Sequence, residues 1–343
     1  MDILFVGGTG IISSACVRRA LDDGHEVWTL NRGGARLANQ VGDRALHADA
    51  SDEDAVRAVL AGRRFDAVIQ WTAYVPEQID KDLRLYEDCG QYVFISSASA
   101  YQKPPAHWLT TERTPLENPF WQYSRDKIAC EELLMAAHRD RGFPVTIIRP
   151  SLTYGVSQIP VCVGSWEKPF TIVERMRRGA RILIPGDGTS LWTITHNTDL
   201  ARGLIPLLGH PGALGEDFHI TSDEALTWNQ IYATLAAAVG VEIDVLHVPT
   251  DGLVAADPEL LGTLWGDKVH STLFDNSKLR SLVPQYRAEV SFADGIAETV
   301  AWFDADPARQ EVDAACNELW DRVAEVYGRA LGEAARGRRG GSI

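Results

Sequence analysis

An apolar run, Ile3-Leu4-Phe5-Val6, stops at Gly7-Gly8-Thr9-Gly10 and gives way to a helical pattern of Ala15, Val17, Ala20 and Leu21 that closes at Gly24. A second extended run, Glu26-Val27-Trp28-Thr29-Leu30, follows at once. Strand, glycine turn, helix and strand in this order form a β-α-β unit, and few architectures accept one. Its strands are parallel, so they need crossover helices and burial on both faces. Glycines in the turn let the backbone approach a pyrophosphate, and the helix start offers free N–H groups and a positive dipole end. Gly7, Gly10 and Ser13 recur every three residues, with serine where a third glycine is usual; its side chain is small enough for close helix–strand packing.

The alternation continues. Ala45–Ala50 reads as a strand end, and Ser51 to Leu60 as a helix. Phe65–Trp71, Tyr92–Ser97 and Val145–Pro150 read as further strands, apolar without strict alternation and separated by helices. That pattern predicts a Rossmann-type, doubly wound parallel sheet in an α/β fold. Ligands in such sheets lie beyond the carboxyl ends of the strands. Gly7, Asp49, Trp71, Ser97 and Ser151 all fall at such ends and point to one active site. Residues 1–150 are expected to form the dinucleotide-binding domain. Residues 151–343 are expected to form a smaller α/β substrate lobe interleaved with the last sheet strands, with Thr227 capping a helix from Trp228.

Tyr123 and Lys127 stand four apart, downstream of Ser97. On a helix they share a face, so phenol and ammonium meet at one site. A nearby ammonium favours phenolate and lowers the tyrosine pKa toward working pH. Such a tyrosine can take a proton from a substrate hydroxyl, or return one, while hydride moves to or from a nicotinamide.

Composition narrows the partners. The chain is 45% apolar and 23% charged, as in ordinary globular proteins, and carries a net charge of −14. That charge argues against nucleic acid or an anionic membrane as partner. No segment is apolar and long enough to span a bilayer, and Met1–Val6 enters a strand without a basic leader, so a cytoplasmic location is expected. The cysteines (Cys16, Cys89, Cys130, Cys162, Cys316) are not in metal-ligand spacing and read as reduced thiols; no metal is expected.

With Ser96-Ser97-Ala98-Ser99-Ala100-Tyr101, Tyr123-Ser124-Arg125-Asp126-Lys127, Arg149-Pro150-Ser151 and Pro185-Gly186-Asp187-Gly188 added to the glycine turn, the chain resembles the extended short-chain dehydrogenase/reductase superfamily, in its sugar epimerase/dehydratase branch. The resemblance implies that Ser97 hydrogen-bonds the reacting oxygen and that Tyr123 is the acid/base. Lys127 would lower the tyrosine pKa and hold the nicotinamide ribose. The implied cofactor set is Gly7, Gly10, Ile11, Ile12, Asn31, Arg32, Asp49, Ala50, Trp71, Thr72, Ala73, Tyr123, Lys127, Pro150 and Ser151. Ser99, Tyr101, Cys162 and Trp192 are the candidate substrate contacts, with Cys162 reading first as an inert thiol in a loop that borders the substrate, and a homodimer through the Tyr123 helix and its neighbour is the family habit.

The departures matter as much. Dehydratases of this branch place an Asp-Glu pair after the catalytic Ser/Thr, where this chain has Ala98 and Ser99. Nucleotide-sugar enzymes usually clamp the diphosphate with an arginine where Trp192 stands, and with a second near Trp265-Gly266-Asp267. Tryptophan cannot replace bidentate guanidinium contacts. Either the substrate is nucleoside-like (adenosine-type), or Lys268, His270, Arg175 or Arg177 takes over the clamp on a nucleotide sugar. Asn31-Arg32 replace the acid that specifies NAD, leaving NADP open, whereas an epimerase that returns its hydride each cycle favours tightly held NAD. The leading expectation is thus an NAD(P)-dependent epimerase inverting a secondary sugar hydroxyl through a transient ketone. The alternatives are an NADP-dependent ketoreductase with the same triad, and a non-catalytic cofactor-sensing or RNA-binding relative.

Overall fold

A computed structural model describes residues 1–33 and 44–337, which fall into two compact units. The first holds Met1–Gly155, Thr193–Glu224 and Leu273–Ser291; the second holds Val156–Trp192, Ala225–Thr272 and the chain from Phe292 onward.

The first unit is built on seven parallel strands: β1 (Asp2–Val6), β2 (Glu26–Asn31), β3 (Ala45–His47), β4 (Ala67–Gln70), β5 (Tyr92–Ile95), β6 (Val145–Pro150) and β7 (Glu216–Ile220). Their spatial order is β7-β6-β5-β4-β1-β2-β3. The crossover helices are α1 (Ile11–Asp22), α2 (Glu53–Leu60), α3 (Pro76–Leu85), α4 (Gln122–Arg141) and α5 (Asn197–Leu204). Successive side chains of β1 go to opposite faces. Ile3 and Phe5 join a core with Val17, Ile69, Val93 and Leu200, while Leu4 and Val6 join one with Val56, Ile79, Phe94 and Leu134. Both faces are dry, which is why these strands read as unbroken apolar runs.

Order along the sheet reverses at β1, which pairs with β2 on one side and β4 on the other. A crevice opens at the carboxyl ends where such a reversal occurs. Several boundaries differ from the sequence reading, and two of them have a local reason. β3 stops at His47, because the Asp49 carboxylate accepts from the Ser51 N–H at 2.8 Å and turns the chain. α2 starts at Glu53, because the Asp52 side chain caps it by accepting from the Ala55 N–H at 2.9 Å.

A buried acid sets the end of β4. Asp82 of α3 is almost fully enclosed and accepts from Gln70 Nε2 (2.5 Å) and the Tyr92 hydroxyl (2.7 Å). Gln70 Oε1 in turn accepts from the Thr72 N–H (2.8 Å) and the Thr72 hydroxyl (2.9 Å). Carboxylate, amide and hydroxyl thereby hold the chain just beyond β4 in one conformation.

In the second unit, Ile182–Pro185 pairs parallel with Val245–Val248, and Leu191–Trp192 pairs antiparallel with Leu226–Thr227. Its helices include Thr171–Arg177, Trp228–Val239, Phe292–Asp304 and Ala314–Gly337. Thr227 caps its helix with a reciprocal box, its hydroxyl accepting from the Gln230 N–H while Gln230 Oε1 accepts from the Thr227 N–H. Among the described residues no helix is long and apolar enough to cross a membrane, and no His/Cys/Asp/Glu group could hold a metal ion.

Burial pushes the Asp82 carboxyl up to about 6, against the opposing pull of Tyr92 and Gln70. A raised folded-state pKa contributes stability that is full below the unfolded value and is lost as pH rises through about 6. Asp82→Asn, which keeps an acceptor without the buried charge, is expected to stabilise the fold by roughly 1–3 kcal/mol at pH 7.5. The gain should shrink toward pH 4.5, as read by urea midpoints at the two pH values.

Candidate active site

The loop after β1 is shaped by two demands. Gly7 has φ +87°, and a Cβ there would lie 2.4 Å from Thr72 Cγ2, so only glycine fits. Ser13 does more than stay small. Its hydroxyl donates to the Gly7 carbonyl at 2.8 Å and accepts the Gly10 N–H at 2.9 Å, closing the loop on itself from the first turn of α1. Because it occupies the Gly10 amide, the amides of Ile11 and Ile12 are left at the positive helix end, with no acidic residue in that turn. A loop that only glycine can form, beside an uncompensated helix start, fits a dinucleotide pyrophosphate.

The Tyr123–Lys127 pair lies on α4, which Gly142 closes in the left-handed conformation. Lys127 is buried, and its ammonium donates to the carbonyls of Ala73 (2.7 Å) and Ile95 (2.8 Å), just past β4 and at the end of β5. It also lies 4.6 Å from the ring centroid of Tyr74, 4.7 Å from that of Phe94 and 5.8 Å from that of Tyr123. Burial pulls the ammonium down to about 8. Tyr123 is half-buried, flanked by Trp121 (centroids 4.9 Å apart) and the exposed ring of Tyr74 (6.3 Å).

Ser97, also half-buried, follows β5 and opens a single 3-10 turn, Ala98–Ala100. Its Oγ is 2.8 Å from Ser99 Oγ and accepts the Ser99 N–H at 3.2 Å. Ser124, the neighbour of Tyr123, donates its hydroxyl to Ser99 Oγ at 2.8 Å. Three hydroxyls therefore form a chain from inside α4 to the sheet edge, and only Ser97 reaches solvent. Residue types alone did not signal this chain, although Ser124 sits beside the tyrosine, nor the Tyr74 ring over Lys127.

The other expected cofactor residues lie at the same sheet edge. Asn31 ends β2, Arg32 is exposed behind it, and Asp49 and Ala50 follow β3. The Ser51 N–H and hydroxyl hold the Asp49 carboxyl below its ordinary range, with Arg32 and Lys81 adding to the effect. Lys81 also donates to the Ala50 carbonyl. Trp71, Thr72 and Ala73 follow β4, and Pro150 ends β6. The Ser151 hydroxyl is turned to the Thr193 carbonyl and Thr195 Oγ1, 3.2 Å from each.

Three of the expected substrate contacts are differently placed. Tyr101 is buried, its hydroxyl hydrogen-bonded to Arg149 Nη1 and His219 Nδ1 at 3.1 Å each; Arg149 is locked to Glu131 and Asp217. Cys162 is buried against the Tyr232 hydroxyl (3.4 Å), and burial pushes its thiol up to about 12, too high for acid/base work. Trp192 is buried and stacks on Trp228 with centroids 5.8 Å apart. Nor do Arg175 and Arg177 stand ready as a clamp: each pairs with a carboxylate of its own unit, Asp321 and Asp304, at 2.7 Å.

Ser13→Ala strips the loop of its internal donor and acceptor. We expect a loss of roughly 1–3 kcal/mol in stability and severalfold weaker dinucleotide binding, measured by denaturant titration and by quenching of protein fluorescence with NADH.

Residues 3–221 match the model of the NAD dependent epimerase/dehydratase family. Among curated proteins, the 2'-dehydrokanamycin reductase of Streptomyces kanamyceticus is 26% identical over 331 residues, covering 95% of this chain and 92% of that one. A dTDP-glucose 4,6-dehydratase of an Actinoplanes species is 30% identical over 254 residues, 73% of this chain and 70% of that one. Among solved structures, DesIV, a dTDP-glucose 4,6-dehydratase of Streptomyces venezuelae crystallised with NAD, superposes with a TM-score of 0.70 at 25% identity, covering 91% of this chain and 99% of that one. The chain belongs to the NAD dependent epimerase/dehydratase family.

Proposed function

We propose that this protein interconverts a secondary alcohol and a ketone on a sugar-type ring, using NAD, and that it joins the two directions into an epimerisation. The observation that carries the reading is the set of Ser97, Tyr123 and Lys127 around one strand end, with a hydroxyl, Ser99, where dehydratases carry a carboxylate. A nicotinamide bound at this edge supplies the two-electron acceptor and donor. Tyr123 takes the proton from the substrate hydroxyl and later returns one to the same oxygen. The Lys127 ammonium, near the Tyr123 ring, stabilises the phenolate that this transfer needs. Ser97 donates to the reacting oxygen and fixes its position. Ala98 and Ser99 offer no base for the carbon beside the ketone, so water is not eliminated. Inversion requires that the ketone present its other face before hydride returns to its carbon, with the proton going back to its oxygen from Tyr123.

The substrate is narrower than the family. Trp192 is buried against Trp228, which weighs against a base stacking on it and favours a sugar ring as the part of the substrate that is held. Internal pairing of Arg175 and Arg177 supports a substrate carried without a diphosphate. One observation favours a second reading, net reduction: the near full-length likeness to a protein named as a reductase of an aminoglycoside ketone.

Purified protein should carry NAD detectable by mass spectrometry and should not consume external NADH in proportion to product. Stoichiometric NADH consumption with 2'-dehydrokanamycin, and none of the nucleotide retained on purification, would establish the reductase reading instead. Tyr123→Phe is expected to lower kcat by about 10²–10⁴-fold without loss of NAD; unchanged turnover sinks both readings. Because Lys127 must be charged, kcat/KM should decline as pH rises through about 8, where its ammonium loses the proton. A profile flat to pH 9.5 contradicts that role.

A further inference from the structure

The direction of the hydroxyl chain behind Ser97 follows from counting protons and lone pairs. Ser124 is wholly buried and gives its one hydroxyl proton to Ser99 Oγ. Ser99 is also buried, and its hydroxyl has two neighbours at 2.8 Å, Ser124 Oγ and Ser97 Oγ. With Ser124 donating, the Ser99 proton has one acceptor left among the described residues, Ser97 Oγ. Ser97 Oγ then accepts twice, from the Ser99 O–H and from the Ser99 N–H at 3.2 Å. A hydroxyl oxygen has two lone pairs and one proton. With both pairs engaged, the Ser97 proton has no acceptor within this cluster, and Ser97 is its one member that reaches solvent. The turn itself is anchored, since Asn118 Nδ2 donates to the Ser99 carbonyl at 2.7 Å and Asn118 is buried.

We infer that Ser99 and Ser124 are positioning residues that aim the Ser97 proton at the reacting oxygen, so that Ser97 acts as an obligate donor. The inference rests on the role given to Ser97 above. It also explains why the position of the missing carboxylate holds a hydroxyl: a carboxylate there would accept the Ser124 proton and then compete for the Ser97 proton. The chain carries no net proton; it orients one. Donors pre-aimed at developing charge contribute more than donors that must reorient.

The test is a double-mutant cycle read by hydride transfer to 2'-dehydrokanamycin from NADH. Ser99→Ala is expected to lower kcat about ten- to a hundredfold, with KM little changed and the melting temperature lowered by the stranded Ser124 hydroxyl, and Ser124→Ala to lower kcat to a smaller extent. In a Ser97→Ala background, Ser99→Ala should have no further effect, because its action passes through Ser97. An equal loss in both backgrounds, or none in the wild-type background while Tyr123→Phe is inactive, overturns the inference. Should Tyr123→Phe keep full activity, the catalytic reading falls separately. The crystal structure of Ser99→Ala decides the positioning in every case: Ser97 should populate a second rotamer, and a single unchanged rotamer overturns the claim.

Discussion

The Lys127 ammonium, enclosed between the carbonyls of Ala73 and Ile95, is the contact on which the rest of the site depends. A buried cation is costly unless its donors are satisfied, and here two backbone oxygens and two or more ring faces do so. Those carbonyls lie just past β4 and at the end of β5, while the ammonium comes from α4. One side chain therefore ties a helix to two adjacent strand ends. Tyr123 is one turn earlier on that helix, so its phenol is placed by the same contact. The Asp82–Gln70–Thr72 network reinforces the β4 side of this junction.

Much of the fold was legible because parallel strands buried on both faces leave an unmistakable pattern. Ile3 to Val6 has no alternation, since each residue meets a core whichever way it points. The glycine turn and the Tyr123–Lys127 spacing were legible for similar reasons: Gly7 is forced by Thr72, and helical periodicity puts the pair on one face. Strand ends were less legible, because short polar hydrogen bonds such as those of Asp49 and Asp52 decide them. These depend on side-chain angles that no periodicity encodes.

The substrate side was the least legible, and for a different reason. Trp192 and Tyr101, read as substrate contacts, and Cys162, read as an inert thiol that could border the substrate, each pack on a partner far along the chain: Trp228, the Arg149–His219 pair, and Tyr232. An aromatic or thiol residue is as well suited to a core as to a pocket, so residue type could not discriminate. Hydroxyls behaved in the opposite way. Ser99 and Ser124 looked unremarkable in the sequence and acquire meaning only through directionality, which appears once donors and acceptors are paired in space.

Ser13 carries a kinetic consequence. Glycines in a turn lose more conformational freedom on being ordered than other residues do. Here a hydroxyl from α1 already braces the turn by engaging Gly7 and Gly10. A preorganised cradle loses less freedom when a ligand arrives, which favours slow release. One serine in place of a glycine thus lets the chain itself, rather than what fills the turn, set the shape of the loop.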